Sequence, residues 1–296
     1  MDKNILRKKL KISFIVPCYN AEKTVDETVN SILNLKLHDF EICLVDDGSA
    51  DRTWERLESF QKKYSDVVKI GKNQENHGGG YTRNRCFSMS TRPYIFCLDS
   101  DNVLHKESFF KLLDAASDAD AMIAFDTIKF FHSTPFRWLK LCYKDLFFLK
   151  KEMAYGDLRK TLTHPVVGGN YLFKREVFEK INGYETDLGA MDTWSFGYKA
   201  LLAGDKYKIV PGTHYFHRVR LDSYWFRELD KNFENLKKLL LRYPEKFSAE
   251  EIQELKDSKD VVKFLVNRKN DFFAEKIKFP FGIPLKIHNF LFLRGK

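Results

Sequence analysis

Along the first third of the chain, short fully apolar runs alternate with stretches whose apolar residues recur every three or four positions. Ile12 to Pro17, Phe40 to Val45, Val67 to Ile70 and Tyr94 to Leu98 have the length and β-branched or aromatic content of buried strands. Between them, Val25, Val29, Ile32 and Leu33 mark one face of a helix that opens with the capping box Thr24-Val25-Asp26-Glu27. Thr53 to Tyr64 forms a second helix, and Tyr81 to Ser90, entered through Gly78-Gly79-Gly80, a third. Strands and helices alternating in this way predict an α/β fold, a sheet with helices on its faces.

Further along, the pattern predicts a helix over Glu107 to Ala116 and strands over Ala121 to Phe125 and Thr127 to Phe131. An aromatic-rich insertion, about 132–163, mixes apolar and basic residues at helical spacing and is expected to be helical. A second α/β portion covers Val166 to Arg218, and the chain from Leu221 reads as helices, one starting near Ala249 behind the capping box Ser248-Ala249-Glu250-Glu251. The expected division is an α/β domain over 1–220 and a helical region over 221–296. No internal repeat or low-complexity linker interrupts it.

Composition narrows the class. A 296-residue chain that is 44% hydrophobic can bury a substantial core and is not disordered. Cys18, Cys43, Cys86, Cys97 and Cys142 form no CxxC pair or zinc spacing, and as reduced core residues they suggest a cytoplasmic setting. No apolar run approaches the roughly 20 residues of a membrane span. The net charge of +9 sits at the two ends, in Met1 to Lys11 and from Val261 onward, leaving the body near neutral and giving no basis for nucleic-acid binding. Between Phe272 and Leu293, Lys alternates with Phe, Ile and Leu around Pro280 and Pro284, as in a peripheral membrane contact or in an element packed on the main domain with a solvated basic face.

In an open α/β sheet, ligands bind beyond the carboxyl ends of the strands. Two predicted strands end there in acids: Asp46-Asp47-Gly48-Ser49 and Asp99-Ser100-Asp101-Asn102. Acids gathered at one edge repel unless a cation or donor lies among them. An Asp-x-Asp pair offers hard oxygen ligands to Mg2+ or Mn2+, and an ion with open positions bridges the phosphates of a diphosphate. The plainer reading is that these residues cap the following helices, which suits Ser49 and Asp51 equally well.

The succession Phe14-Ile15-Val16-Pro17-Cys18-Tyr19-Asn20, Val45-Asp46-Asp47-Gly48-Ser49, Asn76-His77-Gly78, Arg83-Asn84 and Cys97-Leu98-Asp99-Ser100-Asp101 resembles the donor-binding half of a family 2 glycosyltransferase with a GT-A fold. The resemblance continues through Gly168-Gly169-Asn170, Asn182-Gly183-Tyr184-Glu185 and Met191-Asp192, covering about residues 11–218. It implies a Rossmann-like mixed sheet, a nucleotide-sugar donor (a UDP-sugar foremost), Mn2+ or Mg2+, and a glycan or lipid-linked acceptor in surface polysaccharide or glycolipid synthesis at the cytoplasmic membrane face.

It also implies roles. Pro17, Tyr19 and Asn20 would line the nucleotide slot, Asp46 and Asp47 would accept hydrogen bonds from base or ribose, and Gly169 and Asn170 would lie near donor and acceptor. Asp101, with Asp99 and Ser100 beside it, would meet the metal, Asp99 also contacting ribose or sugar. Arg83 would reach phosphate or ribose oxygens, unless it is an exposed helix charge. His217, with His214 second, resembles a histidine that reaches metal or diphosphate, and Arg218 or Arg220 would be alternatives for holding phosphate. Asp192 would be the general base, although the Glu that usually precedes it is Met191 here. As a plainer alternative, Asp192 would only cap its helix.

With one base and a diphosphate leaving group, the implied reaction is a single displacement inverting the sugar carbon. No Gln-x-x-Arg-Trp signature follows, so one sugar per encounter is expected. Rossmann dehydrogenase and P-loop readings fail for want of a GxGxxG turn and a Gly-Lys-Ser/Thr run. A non-catalytic nucleotide-sugar or membrane-binding protein on a degenerate scaffold is the remaining competitor, favoured by Met191 and opposed by Asp99, Asp101 and Asp192.

Overall fold

The computed structural model describes residues 10–116, 120–132, 146–147, 152–153, 169–219, 229–244 and 248–257. The predicted alternation appears as β1 (Ile12–Cys18), α1 (Val25–Leu33), β2 (Phe40–Asp46), α2 (Thr53–Lys63), β3 (Val68–Lys72), α3 (Gly79–Met89) and β4 (Tyr94–Cys97). There follow β5 (Val103–Leu104), α4 (Lys106–Ala115), β6 (Met122–His132), β7 (Leu146–Phe147), β8 (Glu152–Met153), β9 (Tyr171–Lys174), α5 (Arg175–Lys180), α6 (Asp192–Leu202), β10 (Tyr207–Val219), α7 (Leu229–Leu241) and α8 (Ala249–Asp257).

All ten described strands join one sheet in the order β3-β2-β1-β4-β9-β6-β10-β5, with β7 on β6 and β8 on β10. Strands β1 to β4 are mutually parallel, β9 runs antiparallel to both β4 and β6, and β10 lies parallel to β6. The chain moves outward from β1 to β3 and then crosses back to place β4 on the other side of β1. This makes the gap beyond β1 and β4 the topological switch point, where α/β sheets hold ligands. Asp46 and Asp99 end up there because their apolar runs are strands that finish at the same edge.

Packing fixes that edge from both faces. Phe14, Phe96 and Phe109 of β1, β4 and α4 stack with centroids 5.2–5.7 Å apart, and Phe96 reaches Phe125 at 6.1 Å. A second aromatic group joins Tyr171 and Phe173 of β9 to Phe196 of α6, and Phe196 to Tyr184 at 4.4 Å. Cys18, Cys43, Cys86 and Cys97 are buried free thiols in this core, as the reduced reading expects, and burial pushes the Cys43 thiol up to about 12 and the Cys97 thiol up to about 11. Cys142 lies outside the described residues.

Three local expectations meet a different outcome. The two strand runs after α4 are one continuous strand, β6, although its pairing with β10 shifts register at Asp126, whose backbone N–H is received by Thr213 Oγ1 at 3.2 Å. In the insertion expected to be helical, the described residues are the short strands β7 and β8, which add to the edges of β6 and β10, so pairing overrides the helical spacing there; the rest of it lies outside the described residues. The box at Thr24 starts α1 without its side-chain bond, and Glu27 reaches Arg218 Nη2 at 2.6 Å instead. Among the described residues no helix is long and apolar enough to cross a membrane; the basic tail, 258–296, lies outside them.

At the opposite edge of the sheet, Glu41 is a buried carboxylate that receives Ser13 Oγ at 2.6 Å, Thr91 N at 2.5 Å and Lys69 Nζ at 2.7 Å. Burial alone would raise its value, but these donors outweigh it and bring it down to about 2. A depressed carboxylate stabilises the fold fully above its unfolded value of 4.5 and loses that contribution as pH falls through about 2. Glu41→Gln is therefore expected to cost about 2 kcal/mol at pH 7, and denaturant titrations should show the gap to wild type closing between pH 4.5 and 2.

Candidate functional site

The loops after β1 and β2 are zipped together by their own side chains. Asn20, at φ +47°, accepts Ala50 N on Oδ1 at 3.0 Å and donates its N–H to Ser49 Oγ at 2.9 Å. Ala21 N and Glu22 N bond Thr53 Oγ1 and Asp51 Oδ2. Ser49 and Asp51 thus have a structural job, but by joining the two loops; the cap residue of α2 is Arg52, without a side-chain cap bond. Pro17 is half-buried at the strand end, and Tyr19 stands 43% exposed beyond it, leaving its ring face open.

Asp46 is fully buried; Oδ1 accepts Ser49 N at 3.1 Å, while Oδ2 has no partner among the described residues. The structure gives Asp47 another job than the base or ribose contact expected of it. Its oxygens are taken up by Asn73 Nδ2 at 2.6 Å, His77 N at 3.0 Å and Gly78 N at 2.9 Å. Those bonds hold the loop that enters α3, and so set where Arg83 emerges.

Arg83 is not an exposed helix charge. It is 7% exposed, and its guanidinium lies between two acids, Nη2 at 2.5 Å from Asp99 Oδ1 and Nη1 bonded to Asp192 Oδ2. Helix α3 comes close enough for this because its first turn lacks side chains. A Cβ on Gly79 would stand 2.6 Å from both Arg83 Nη1 and Asp192 Oδ2, and one on Gly80 would sit 2.0 Å from the Glu185 carbonyl oxygen. One residue on, Asn84 bonds the backbone of Tyr184 in both directions at 2.9 Å and fixes the loop that leads to Asp192.

The turn at Asp99 is built from amides. Asp99 N donates to Asn170 Oδ1 at 2.9 Å, and Asn102 Nδ2 reaches Asp99 Oδ2 at 3.2 Å. Thr28 Oγ1 donates to the Asn102 carbonyl at 2.9 Å, and Arg218 donates Nε to the Asp101 carbonyl at 2.9 Å and its backbone N–H to Asn102 Oδ1 at 3.1 Å. Arg218, expected as one alternative for holding phosphate, instead holds this turn; Arg220 lies outside the described residues. Ser100 and Asp101 are half-buried beside Asp99, and Gly169 carries Asn170 into place, while Gly168 lies outside the described residues.

Strand alternation decides between the two histidines. Tyr215 and His217 share the face toward the acids. Asp99 and Asp101 both act on the Tyr215 hydroxyl, and Asp99 acts on His217. His214 points the other way, stacked on His105 at 4.2 Å and 3.3 Å from Ser108 Oγ, so the second-choice histidine is not at the acids. Burial lowers His217 below the usual imidazole range against the pull of Asp99, which keeps it neutral and able to ligate.

Among the described residues, no three His, Cys, Asp or Glu side chains lie close enough together to cage an ion. The donor chemistry of Asp99, Asp101 and His217 still suits Mg2+ or Mn2+ shared with substrate oxygens, the arrangement that such ions adopt on phosphates.

Asp192 opens α6 at 5% exposure, with Met191 as the preceding cap residue. Its Oδ1 accepts Thr193 N at 2.7 Å while Oδ2 serves Arg83; the cap position belongs to Met191 and carries no side-chain cap bond, so Asp192 is not the cap of this helix. Burial raises its carboxyl above the ordinary value, with the Arg83 charge opposing. Met191, at 2% exposure, belongs to a 3-10 turn, Gly189–Met191, against which α7 packs. The residues that the sequence reading missed are Asn73, Asn84, Asn102, Glu27 and Arg218 as braces; their only signal was polar character beside the motifs.

Comparison with known proteins agrees with this geometry. The Glycosyl transferase family 2 description matches residues 13–182, more than half of the chain. A poly(ribitol-phosphate) beta-glucosyltransferase of Bacillus spizizenii is 25% identical over 220 residues, covering 72% of this chain and 33% of that protein. A poly-beta-1,6-N-acetyl-D-glucosamine synthase of Staphylococcus epidermidis is 32% identical over 103 residues, 35% of this chain and 24% of that protein. The chain thus spans a third or less of these relatives' lengths. Among solved structures, S. aureus TarS 1-349 in complex with UDP-GlcNAc superposes with a TM-score of 0.62 at 19% identity, covering 91% of this chain and 76% of that one. The mannosyltransferase PcManGT from Pyrobaculum calidifontis, in complex with GDP-Man and Mn2+, gives 0.60 at 16%, covering 84% and 70%. The fold is therefore GT-A, and the chain belongs to glycosyl transferase family 2.

Proposed function

We propose that the protein transfers one sugar per encounter, with inversion, from a nucleotide-diphosphate sugar to a hydroxyl of a glycan or lipid-linked acceptor in surface polysaccharide or glycolipid synthesis. The carrying observation is the Arg83 node, which brings the acid at the end of β4 and the acid at the start of α6 within the span of one guanidinium. A donor phosphate and an acceptor hydroxyl can then meet between them. The UDP-GlcNAc bound by TarS and the poly(ribitol-phosphate) in the name of the Bacillus glucosyltransferase support a UDP-sugar donor and a cell-surface polymer acceptor.

In this mechanism Asp192 removes the acceptor proton as the oxygen attacks the sugar carbon. The bond from that carbon to the diphosphate oxygen breaks on the opposite face, which inverts the centre. Asp101, with Asp99 or His217 and donor oxygens, would hold an ion whose charge would offset that of the leaving diphosphate. Arg83, freed in part from Asp99, carries a second positive charge to the same oxygens. Tyr19 offers an exposed ring beside the nucleotide slot, and Asn170 orients the Asp99 backbone. A non-catalytic binder on the same scaffold is the competing reading; Met191 in place of the usual acid favours it.

A screen of UDP- and GDP-sugars for nucleotide release, with Mn2+, Mg2+ or chelator, separates the two readings, since a binder releases nothing. Asp101→Ala is expected to weaken donor binding in Mn2+ and to abolish the response to metal, read by calorimetry with UDP. Asp192→Ala and the isosteric Asp192→Asn should cut kcat by about 10²- to 10⁴-fold with donor affinity retained. Full turnover by either Asp192 variant in a folded protein would remove Asp192 as base.

A further inference from the structure

We propose that Arg242, in the helical segment that follows the sheet, is a positioning residue for Asp192; the proposal rests on Asp192 being the base. The loop from Gly183 to Met191 delivers Asp192, and it is held at both ends. Inside, Tyr184 is bonded by Asn84 and the Glu185 carbonyl is seated against Gly80. Outside, the Glu185 carboxylate receives Lys199 Nζ of α6 at 3.0 Å on Oε1 and Arg242 Nη1 at 2.5 Å on Oε2. The second guanidinium nitrogen, Nη2, bonds Asp187 Oδ2. Lys199 also donates to the Gly183 carbonyl at 2.9 Å.

Helix α7 is a firm base for this fork. Leu239 and Leu240 are fully buried, the helix packs on the Gly189–Met191 turn, and the Tyr243 ring lies 5.7 Å from Tyr198 of α6. An isolated surface ion pair contributes little, but here one planar fork joins two carboxylates of the same loop to an anchored helix, and a bidentate guanidinium fixes orientation as well as distance. Among the described residues, the side chains of Glu185, Asp187 and Arg242 form no hydrogen bond or ion pair with the ends of β1, β2 or β4, and bond instead to one another and to Lys199. Loss of this latch should therefore loosen the base without touching donor binding, and misplacement of about 1 Å costs up to 10²-fold in rate.

The test is steady-state kinetics and thermal midpoints of Arg242→Met, Arg242→Lys, Asp187→Asn and the Arg242→Met/Asp187→Asn double variant, with Asp192→Ala in parallel. Arg242→Met is expected to lower kcat by about ten- to a hundredfold with donor KM and thermal midpoint unchanged. Arg242→Lys should recover part of that loss, and Asp187→Asn should add nothing in the Arg242→Met background. Unchanged kcat in Arg242→Met overturns the proposal, as does a fall in kcat that tracks a fall in midpoint with no recovery by lysine. Full turnover by Asp192→Ala would instead remove the base reading and the proposal with it.

Discussion

The site depends on one buried cation held between a buried anion and a half-buried one from distant parts of the chain. Asp99 and Asp192 are 16 and 109 residues from Arg83 in sequence, and at Asp192 burial raises the carboxyl while the Arg83 charge opposes it. Arg83 likewise has to be paired to be buried at all. That requirement ties α3, β4 and α6 to a common point. It also explains the bare first turn of α3, since a side chain at Gly79 would occupy the space where guanidinium and carboxylate meet.

Around this node, most of the polar residues at the strand ends hold one another. Asp47 carries the loop into α3, Asn20 and Ser49 join the first two loops, and Arg218 ties the Asp99 turn to Glu27 on α1. Each brace satisfies backbone groups that a loop without regular structure would leave unpaired. Among the described residues, the Tyr19 ring is exposed and one oxygen of Asp46 has no partner. A small reactive set on a large pre-bonded frame is what precise placement of donor and acceptor requires.

The two halves of the reaction are held by different structure. The donor side rests on parallel strands whose ladder and aromatic packing are continuous through the core. Asp192 rests on a loop and a short 3-10 turn, covered by a helix from beyond the sheet. In this chain Met191 stands where an acid is usual in the family, and its burial under α7 gives the position an apolar role.

The sequence by itself determined the order of strands and helices through the first half, the acids at the strand ends and the family. These follow from local periodicity and from motifs whose residues are near neighbours in the chain. The helical spacing of the insertion misled where β7 and β8 pair with the sheet, because partners far away in sequence decide strand formation. Only the tertiary structure decided that Asp47 is a brace, that His217 faces the acids while His214 turns away, and that Arg83 joins Asp99 to Asp192. Those facts depend on which side of a strand or helix meets which distant neighbour. A side chain's partners across the sheet have no trace in its own local pattern.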